Sequence, residues 1–272
     1  MPTYAPVLDA LLSREPEPDG GVRSGDVDYT VHGTACRGYL AAPADVQGTV
    51  PGVLVVHDWL GVTDSVRMRC DMLARLGYAA FAADIFGADV RPSEAEAPGV
   101  AGAYYGNPEL WRQRVVGAFD RMRDEAVVDE TRTAAIGYCF GGSTALLLAR
   151  TGADLRAVVS FHGGLQAGPE GEAERIRASV LILTGAADPV VPDEAVLAVQ
   201  NEFRRVPDLD WQVVTYAGAM HAFAVPGANA PDHGAQFNAV AEARSWQAMK
   251  DFFAELFGPA TGATTGAPAV GK

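Results

Sequence analysis

Thr133-Ala134-Ala135-Ile136-Gly137-Tyr138-Cys139-Phe140-Gly141-Gly142 is the stretch that decides the fold, because an apolar strand turns there into a helix-forming run. Glycines lie two positions before and two positions after Cys139, so the backbone can turn sharply without clashing side chains. A helix that begins directly behind the cysteine points its first amides at the sulfur, which favours the thiolate. The pattern predicts a nucleophile at Cys139 and an oxyanion donor at the Phe140 N–H. The alternative is a buried cysteine that fills a tight packing gap.

Two polar residues further along the chain are candidate catalytic partners of this nucleophile. Asp188 follows the apolar run at residues 179–185, and His221 lies in the loop after the run at residues 211–216. Each follows a predicted strand, at the end where open α/β sheets place their sites. We therefore predict that His221 takes a proton from Cys139 and that Asp188 fixes the histidine tautomer. Taken singly, the aspartate could be a turn former before a proline, and the histidine could be a solvated loop residue.

The chain resembles the dienelactone hydrolases, which are cysteine-using α/β hydrolases, from about Gly33 to Phe257. The segments that carry the resemblance are residues 53–62, residues 76–84, the turn around Cys139, residues 185–188 and residues 218–223. The resemblance implies Cys139 as nucleophile, with Asp188 and His221 as its partners. It also implies an oxyanion hole made by the backbone N–H groups of Phe140 and Trp59.

The sequence departs from the family pattern at positions that bear on the substrate. A glutamate that helps to activate the cysteine in the family corresponds here to the shorter Asp58, so the resemblance implies that Asp58 activates the nucleophile. The family also grips a substrate carboxylate with two arginines, and Val225 occupies one of those two positions. Candidates for the other arginine are Arg91, Arg112 and Arg114. A site without this guanidinium pair binds carboxylates more weakly, so the sequence leaves the substrate open.

The insertion between Asp84 and the nucleophile strand supplies candidate substrate contacts. The predicted contacts are Arg91, Tyr104, Tyr105 and Trp111, together with His162 from the end of another strand. The insertion could equally be a helix that packs on the sheet with a solvated basic face. We interpret His162 as a wall of the pocket rather than as the general base, because His221 occupies the expected loop.

The alternation of apolar runs with helix-length segments predicts an α/β hydrolase fold, a mostly parallel, doubly wound sheet with helices on both faces. We expect an edge hairpin from residues 26–32 and 35–41, and parallel strands near residues 53–56, 78–83, 133–136, 157–161, 180–183 and 211–216. A final helix at about residues 236–257 is expected to bury Val240, Met249 and Phe253. The predicted organisation is an N-terminal extension (1–21), a single α/β hydrolase domain (22–257) and a flexible C-terminal tail (258–272).

Composition narrows the class of protein. The 272 residues are 49% hydrophobic and carry a net charge of -13, which disfavours binding to nucleic acid or to anionic membranes. Three cysteines are too few for a disulfide framework, and no His/Cys spacing fits a zinc site. Residues 1–21 lack the basic start and the apolar run of a secretory signal. We therefore expect a cytoplasmic enzyme that needs no metal or organic cofactor, with its oligomeric state open.

The predicted reaction is hydrolysis of a small-molecule ester or lactone through a cysteine thioester. Two alternatives remain at this stage. One is an acyltransferase or thioesterase on the same fold, which transfer of the acyl group to added alcohols or amines would reveal. The other is a non-catalytic small-molecule binding protein, suggested by the departures at Asp58 and Val225.

Overall fold

The computed structural model describes residues 3–258. Its strands are β1 (Val22–Val31), β2 (Thr34–Pro43), β3 (Val50–Val56), β4 (Ala79–Ala83), β5 (Val128–Tyr138), β6 (Ala157–Phe161), β7 (Ser179–Gly185), β8 (Trp211–Tyr216), β9 (Asn229–Ala230) and β10 (Ala235–Gln236). Its helices are α1 (Pro6–Leu12), α2 (Asp64–Arg75), α3 (Ala97–Tyr105), α4 (Pro108–Arg123), α5 (Phe140–Arg150), α6 (Asp193–Phe203) and α7 (Ala239–Phe257). Short 3-10 turns lie at Ala173–Arg175 and Pro231–His233.

Eight strands form one sheet in the order β1-β2-β4-β3-β5-β6-β7-β8. The β1–β2 and β2–β4 pairs are antiparallel, whereas the five pairs from β4 to β8 are parallel, as a doubly wound sheet requires. The predicted edge hairpin and mostly parallel sheet are therefore confirmed. In register, Val56 pairs with Gly137 and Tyr138 pairs with Phe161. The carboxyl ends of β3, β5 and β6 consequently lie side by side, which brings the loops that follow them together.

Helices cover both faces of the sheet because side chains alternate along each buried strand. In β3, Leu54 and Val56 face the core that holds α3, α4, α5 and α6, while Val53 and Val55 face α1, α2 and α7. Burial of both faces explains why β4 and β6 consist almost entirely of apolar residues with no polar alternation. The two cores hold the strand ends rigidly, and this rigidity positions the loops of the site.

The last helix begins later than the sequence predicts. The Asn238 side chain accepts hydrogen bonds from the N–H groups of Val240 (3.1 Å) and Ala241 (3.0 Å), so α7 starts at Ala239. Met249 and Phe253 are buried as predicted, but the prediction that Val240 lies in the core is wrong, since it is 57% exposed. Ala241 and Glu242 in the same turn are buried, so Val240 lies on the outer face of the helix.

The N-terminal extension contains α1 and packs on α2 and α7. Leu8 and Leu11 are buried in the core that α2 and α7 share, and the Glu15 carboxylate accepts a hydrogen bond from Trp246 Nε1 at 2.7 Å. The boundary of this extension at residue 21 stays a prediction. Beyond residue 258, the predicted flexible tail lies outside the described residues. Within residues 3–258, no helix is both long enough and apolar enough to cross a bilayer.

Candidate active site

The strand-to-helix turn at Cys139 is tight and strained. Cys139 has φ 54° and ψ -116°, a conformation that side chains rarely adopt. A Cβ on Gly137 would lie 2.0 Å from the Gly141 carbonyl oxygen, and one on Gly141 would lie 2.2 Å from the Val56 carbonyl oxygen. Only glycine fits at either position, so the two flanking glycines are what allow β5 to turn directly into α5 with the cysteine at its tip.

The two backbone amides predicted to form the oxyanion hole have no hydrogen-bond acceptor among the described residues. Within residues 3–258, neither the Phe140 N–H nor the Trp59 N–H donates to a protein acceptor. The next amide after Trp59 behaves differently, because the Leu60 N–H donates to the Asp58 carboxylate at 2.8 Å. The N-terminal end of α5 packs directly on the loop after β3. A Cβ added to Gly141 would lie only 2.6 Å from the His57 carbonyl oxygen. The two free N–H groups therefore belong to neighbouring backbone segments.

His57 holds this loop in place, a role that sequence analysis missed. Its Nε2 accepts a hydrogen bond from the Ile85 N–H at 3.2 Å, so Nε2 is unprotonated and Nδ1 carries the proton. Nδ1 then donates to the Asp58 carbonyl oxygen at 2.5 Å. Complete burial lowers the pKa of His57 to about 4, so the ring is neutral at pH 7. The neutral ring ties the loop that carries Trp59 to the residues after β4.

Cys139, His221 and Asp188 form a continuous hydrogen-bonded line. His221 Nε2 lies 3.0 Å from Cys139 Sγ, and His221 Nδ1 lies 2.9 Å from Asp188 Oδ2. The other Asp188 oxygen accepts hydrogen bonds from the N–H groups of Val190 (2.8 Å) and Val191 (3.1 Å), which fix the carboxylate. The structure thus brings together the three residues that the sequence predicts as a triad.

The environment of His221 favours its charged form. Burial lowers the pKa of the imidazole, but the hydrogen bonds and negative charge supplied by Asp188 and Cys139 outweigh burial and raise the pKa to about 10. His221 is therefore protonated at pH 7. A cation within hydrogen-bond distance of a sulfur stabilises the thiolate form of that sulfur.

A small hairpin fixes the backbone of His221. Its N–H donates to the Gly234 carbonyl oxygen at 2.9 Å, and its carbonyl accepts from the Gln236 N–H at 2.9 Å. Farther along the loop, the Asn238 N–H donates to the Phe223 carbonyl at 3.0 Å. The strands β9 and β10 have two residues each, too short to produce a sequence pattern. The hairpin nevertheless holds the imidazole in line between Asp188 and Cys139.

Asp58 is buried just past β3, beside the candidate oxyanion amides. Its Oδ1 accepts the Leu60 N–H, and within the described residues no hydrogen bond joins its carboxylate to Cys139. Burial raises the pKa of Asp58 from 3.8 to about 6, and the hydrogen bond from Leu60 opposes this effect. The role predicted for Asp58 in activating the nucleophile stays a prediction.

We expect Asp58→Asn to stabilise the protein at pH 8, because asparagine keeps the acceptor for Leu60 without a buried charge. A pKa raised from 3.8 to about 6 means that the folded state holds the proton more tightly, so the free energy of unfolding falls between those pH values. The gain at pH 8 is about 3 kcal/mol at most and vanishes below pH 4. Urea unfolding of both proteins at pH 4 and pH 8 measures it. An equal difference at the two pH values would contradict this origin.

The candidate arginines are all engaged by other groups. Arg91 pairs with the buried carboxylate of Asp84 at 3.1 Å and donates to the Gly87 carbonyl. Arg112 forms an ion pair with Glu172. Arg114 donates to the Thr34 hydroxyl at 2.6 Å and to the Val31 carbonyl. All three guanidinium groups therefore have partners within the protein, and the substrate contact predicted for Arg91 stays a prediction.

Aromatic residues predicted as substrate contacts divide into packed and exposed ones. Trp111 stacks on Phe140 with ring centroids 5.0 Å apart and donates from Nε1 to the Thr144 hydroxyl, so it buttresses the start of α5. Tyr104 is buried, and its hydroxyl donates to the Ile85 carbonyl. Tyr105 and Trp59 are each 39% exposed. Contact with substrate stays a prediction for Tyr104, Tyr105 and Trp111, and exposure favours Tyr105.

His162 packs beside the catalytic line without joining it. Its ring lies edge-on to His221, with centroids 5.4 Å apart, and neither ring nitrogen has a partner within the described residues. Burial, together with the nearby His221, lowers its pKa well below the usual value, so the ring is neutral. The interpretation of His162 as a wall of the pocket stays a prediction. Among residues 3–258, no cluster of three or more His, Cys, Asp or Glu side chains could hold a metal ion.

The sheet order and the strained turn at Cys139 define an α/β hydrolase. The chain belongs to the dienelactone hydrolase family, whose sequence pattern matches residues 36–257. A Salmonella typhimurium protein named "Putative carboxymethylenebutenolidase" is 28% identical over 270 residues, covering 94% of this chain and 95% of that protein. Family membership makes the chain a carboxylic ester or lactone hydrolase, so the non-catalytic alternative falls away.

Two solved structures share this architecture at higher identity. One is a dienelactone hydrolase-like promiscuous phosphotriesterase from metagenomic libraries, with 44% identity and a TM-score of 0.84. The other bears the name m3DLH, with 40% identity and a TM-score of 0.83. Each match covers 87% of this chain and 99% of the other chain. The similarity thus extends over most of the chain.

Proposed function

We propose that the protein hydrolyses small-molecule esters or lactones through a cysteine thioester, with Cys139, His221 and Asp188 as a catalytic triad. The observation that carries the proposal is the continuous line from Asp188 through His221 to Cys139 Sγ, with contacts of 2.9 and 3.0 Å. Protonated His221 lies within hydrogen-bond distance of the sulfur, where a cation favours attack by the thiolate form.

In the first half of the reaction, the Cys139 thiolate attacks the carbonyl carbon and forms a C–S bond. The free N–H groups of Phe140 and Trp59 would hold the negative oxygen that develops. When the tetrahedral intermediate collapses, the C–O bond breaks and the leaving alkoxide takes the proton of His221. A thioester and a neutral imidazole remain.

Formation of the thioester prepares the second half of the reaction. A thioester sulfur has no charge, so the contribution of Cys139 to the raised pKa of His221 disappears and the imidazole can accept a proton. His221 then takes a proton from water, the hydroxide attacks the thioester, and the C–S bond breaks. The sulfur leaves as a thiolate beside the newly protonated His221, which restores the starting state.

An acyl adduct on the protein tests the proposal directly. We expect 4-nitrophenyl acetate to give a burst of 4-nitrophenolate, with a mass increase of one acetyl group on the peptide that contains Cys139. Cys36→Ala and Cys70→Ala are matched controls, because both cysteines are free and buried, and both variants should still form the adduct. An adduct on another residue, or turnover with no adduct and no burst, would contradict a cysteine thioester.

Added alcohols and amines separate hydrolysis from acyl transfer. A hydrolase gives the free acid as its main product when a short alcohol is present at moderate concentration. Product analysis by mass spectrometry after turnover of the same ester measures the partition. Formation of mainly the new ester or amide would favour the acyltransferase alternative, which uses the same thioester.

Phosphotriester hydrolysis is a second candidate reaction. The similar structure with 44% identity is named as a promiscuous phosphotriesterase, and the engaged state of Arg91, Arg112 and Arg114 suits an uncharged substrate. Attack by the thiolate on phosphorus would expel 4-nitrophenolate from diethyl 4-nitrophenyl phosphate, and water would then cleave the S–P bond. Comparison of this triester with the corresponding anionic diester tests the candidate. Preference for the diester would count against it.

A further inference from the structure

Arg69 lies inside the protein, where it connects three parts of the structure behind the triad. The side chain, which α2 supplies, is 2% exposed. Its guanidinium lies over the rings of Tyr138 and Trp246, at 5.4 and 5.0 Å from their centroids. Nη2 donates to the Ala224 carbonyl oxygen at 3.0 Å, and Nη1 forms an ion pair with Glu242 at 2.9 Å. One buried cation thus contacts β5, the loop after β8 and α7.

Two of these contacts adjoin catalytic positions. Tyr138 immediately precedes Cys139, and Ala224 lies three residues after His221. The loop of His221 is held from one side by the β9–β10 hairpin, through hydrogen bonds to the His221 backbone. Arg69 holds its other end, at Ala224, and contacts the residue beside the nucleophile at the same time. The guanidinium therefore spans the two segments whose separation sets the contact between His221 Nε2 and Cys139 Sγ.

The charge of Arg69 is balanced within the protein, which excludes it as a free cation for substrate. Glu242 is 1% exposed and pairs with Arg69 and also with Arg14 from the N-terminal extension. The guanidinium is enclosed between two aromatic rings as well. An arginine in such a setting orders the groups that it contacts, because a planar guanidinium offers several donors in fixed directions.

We propose that Arg69 is a positioning residue, which sets the distance between His221 and Cys139 through its contacts with Ala224 and Tyr138. This inference rests on the proposed function, since it assigns to Arg69 the alignment of the proposed triad. A displacement of about 1 Å in such an alignment can reduce a rate about 100-fold even when the fold is intact. Arg69 itself touches no reacting atom.

Variants of Arg69 test the proposal against a matched control. Arg69→Met removes the cation while Arg14 still pairs with Glu242. Arg69→Lys keeps a charge near Glu242 but cannot reach both Glu242 and the Ala224 carbonyl with fixed geometry. Arg150→Met is the control, because Arg150 is also a buried arginine in an ion pair, with Glu202 at 2.8 Å, and donates to the Gln166 carbonyl away from the histidine loop.

For Arg69→Met we expect kcat on 4-nitrophenyl acetate to fall roughly 10- to 100-fold, with KM changed less than about threefold. Arg69→Lys should lose less, and Arg150→Met should lower the melting temperature without lowering kcat per folded molecule. Alkylation of Cys139 by iodoacetamide at pH 7, followed by mass spectrometry, should slow in the Arg69 variants alone, since it reports the contact with His221 without any ester.

Two results would overturn the positioning role. One is that Arg69→Met and Arg69→Lys lose stability as the Arg150 variant does, while kcat and the alkylation rate remain at wild-type values. The other is an equal loss of kcat in Arg150→Met and Arg69→Met. If the wild-type protein turned over no ester, the proposed function would fail, and the alkylation rates alone would still decide whether Arg69 aligns Cys139 with His221.

Discussion

Cys139→Ala is expected to reduce kcat/KM for an activated ester by roughly four orders of magnitude, the largest effect of any single substitution in this chain. Alanine removes the sulfur that forms the acyl bond. We expect no second nucleophile to replace it, because the nearby His221 would have to reach the substrate across the position of the lost sulfur. Initial rates of 4-nitrophenolate release, measured with excess substrate at pH 7.5, provide the number. The free N–H groups of Phe140 and Trp59 would account for the residual rate.

Cys139→Ser tests whether the site requires a cysteine or also works with a serine nucleophile. A serine hydroxyl does not form an ion pair with His221, so His221 loses part of the interaction that raises its pKa and acylation must wait for proton transfer. We expect slower acylation, no accumulated adduct and kcat well below that of the wild-type protein. Activity of Cys139→Ala close to that of wild type would refute the nucleophile assignment, provided that circular dichroism shows both variants folded.

The strand pattern and the triad could be predicted from sequence because each depends on residue types at fixed places along the chain. Parallel strands buried on both faces must be apolar, which marks β4 and β6. The turn between β5 and α5 needs glycine at 137 and 141, since a Cβ at either site would overlap backbone atoms. Asp188 and His221 then follow from strand ends that the register brings together.

The supports of the triad could not be predicted, because their partners are distant in sequence. Arg69 contacts a carbonyl 155 positions away, and nothing in the α2 sequence separates a buried arginine from a solvated one. For the same reason, the sequence could not show that Arg91 and Arg112 form ion pairs with Asp84 and Glu172. In each case local pattern reports the type of side chain, and only the tertiary structure reports what neutralises it.

His221→Gln is expected to lower kcat for an unactivated alkyl ester about 1000-fold or more, because His221 serves in both halves of the proposed reaction. Glutamine can still accept or donate a hydrogen bond, but it neither protonates the leaving alkoxide nor takes a proton from water. Loss of the imidazolium also removes the cation that stabilises the Cys139 thiolate. A variant of the adjacent His162 provides the control. His162→Asn is suitable because asparagine tolerates the positive φ of 39° at that position.

The choice of ester separates the two roles of His221. A 4-nitrophenolate leaving group needs no proton, so acylation of His221→Gln by 4-nitrophenyl acetate should fall less than acylation by ethyl acetate. Hydrolysis of the thioester still needs a base, so the adduct on Cys139 should persist in this variant and give a burst with little turnover. His162→Asn should show no persistent adduct, because the neutral ring of His162 transfers no proton in the proposed cycle. A persistent adduct in His162→Asn, with normal turnover in His221→Gln, would reassign the base to His162.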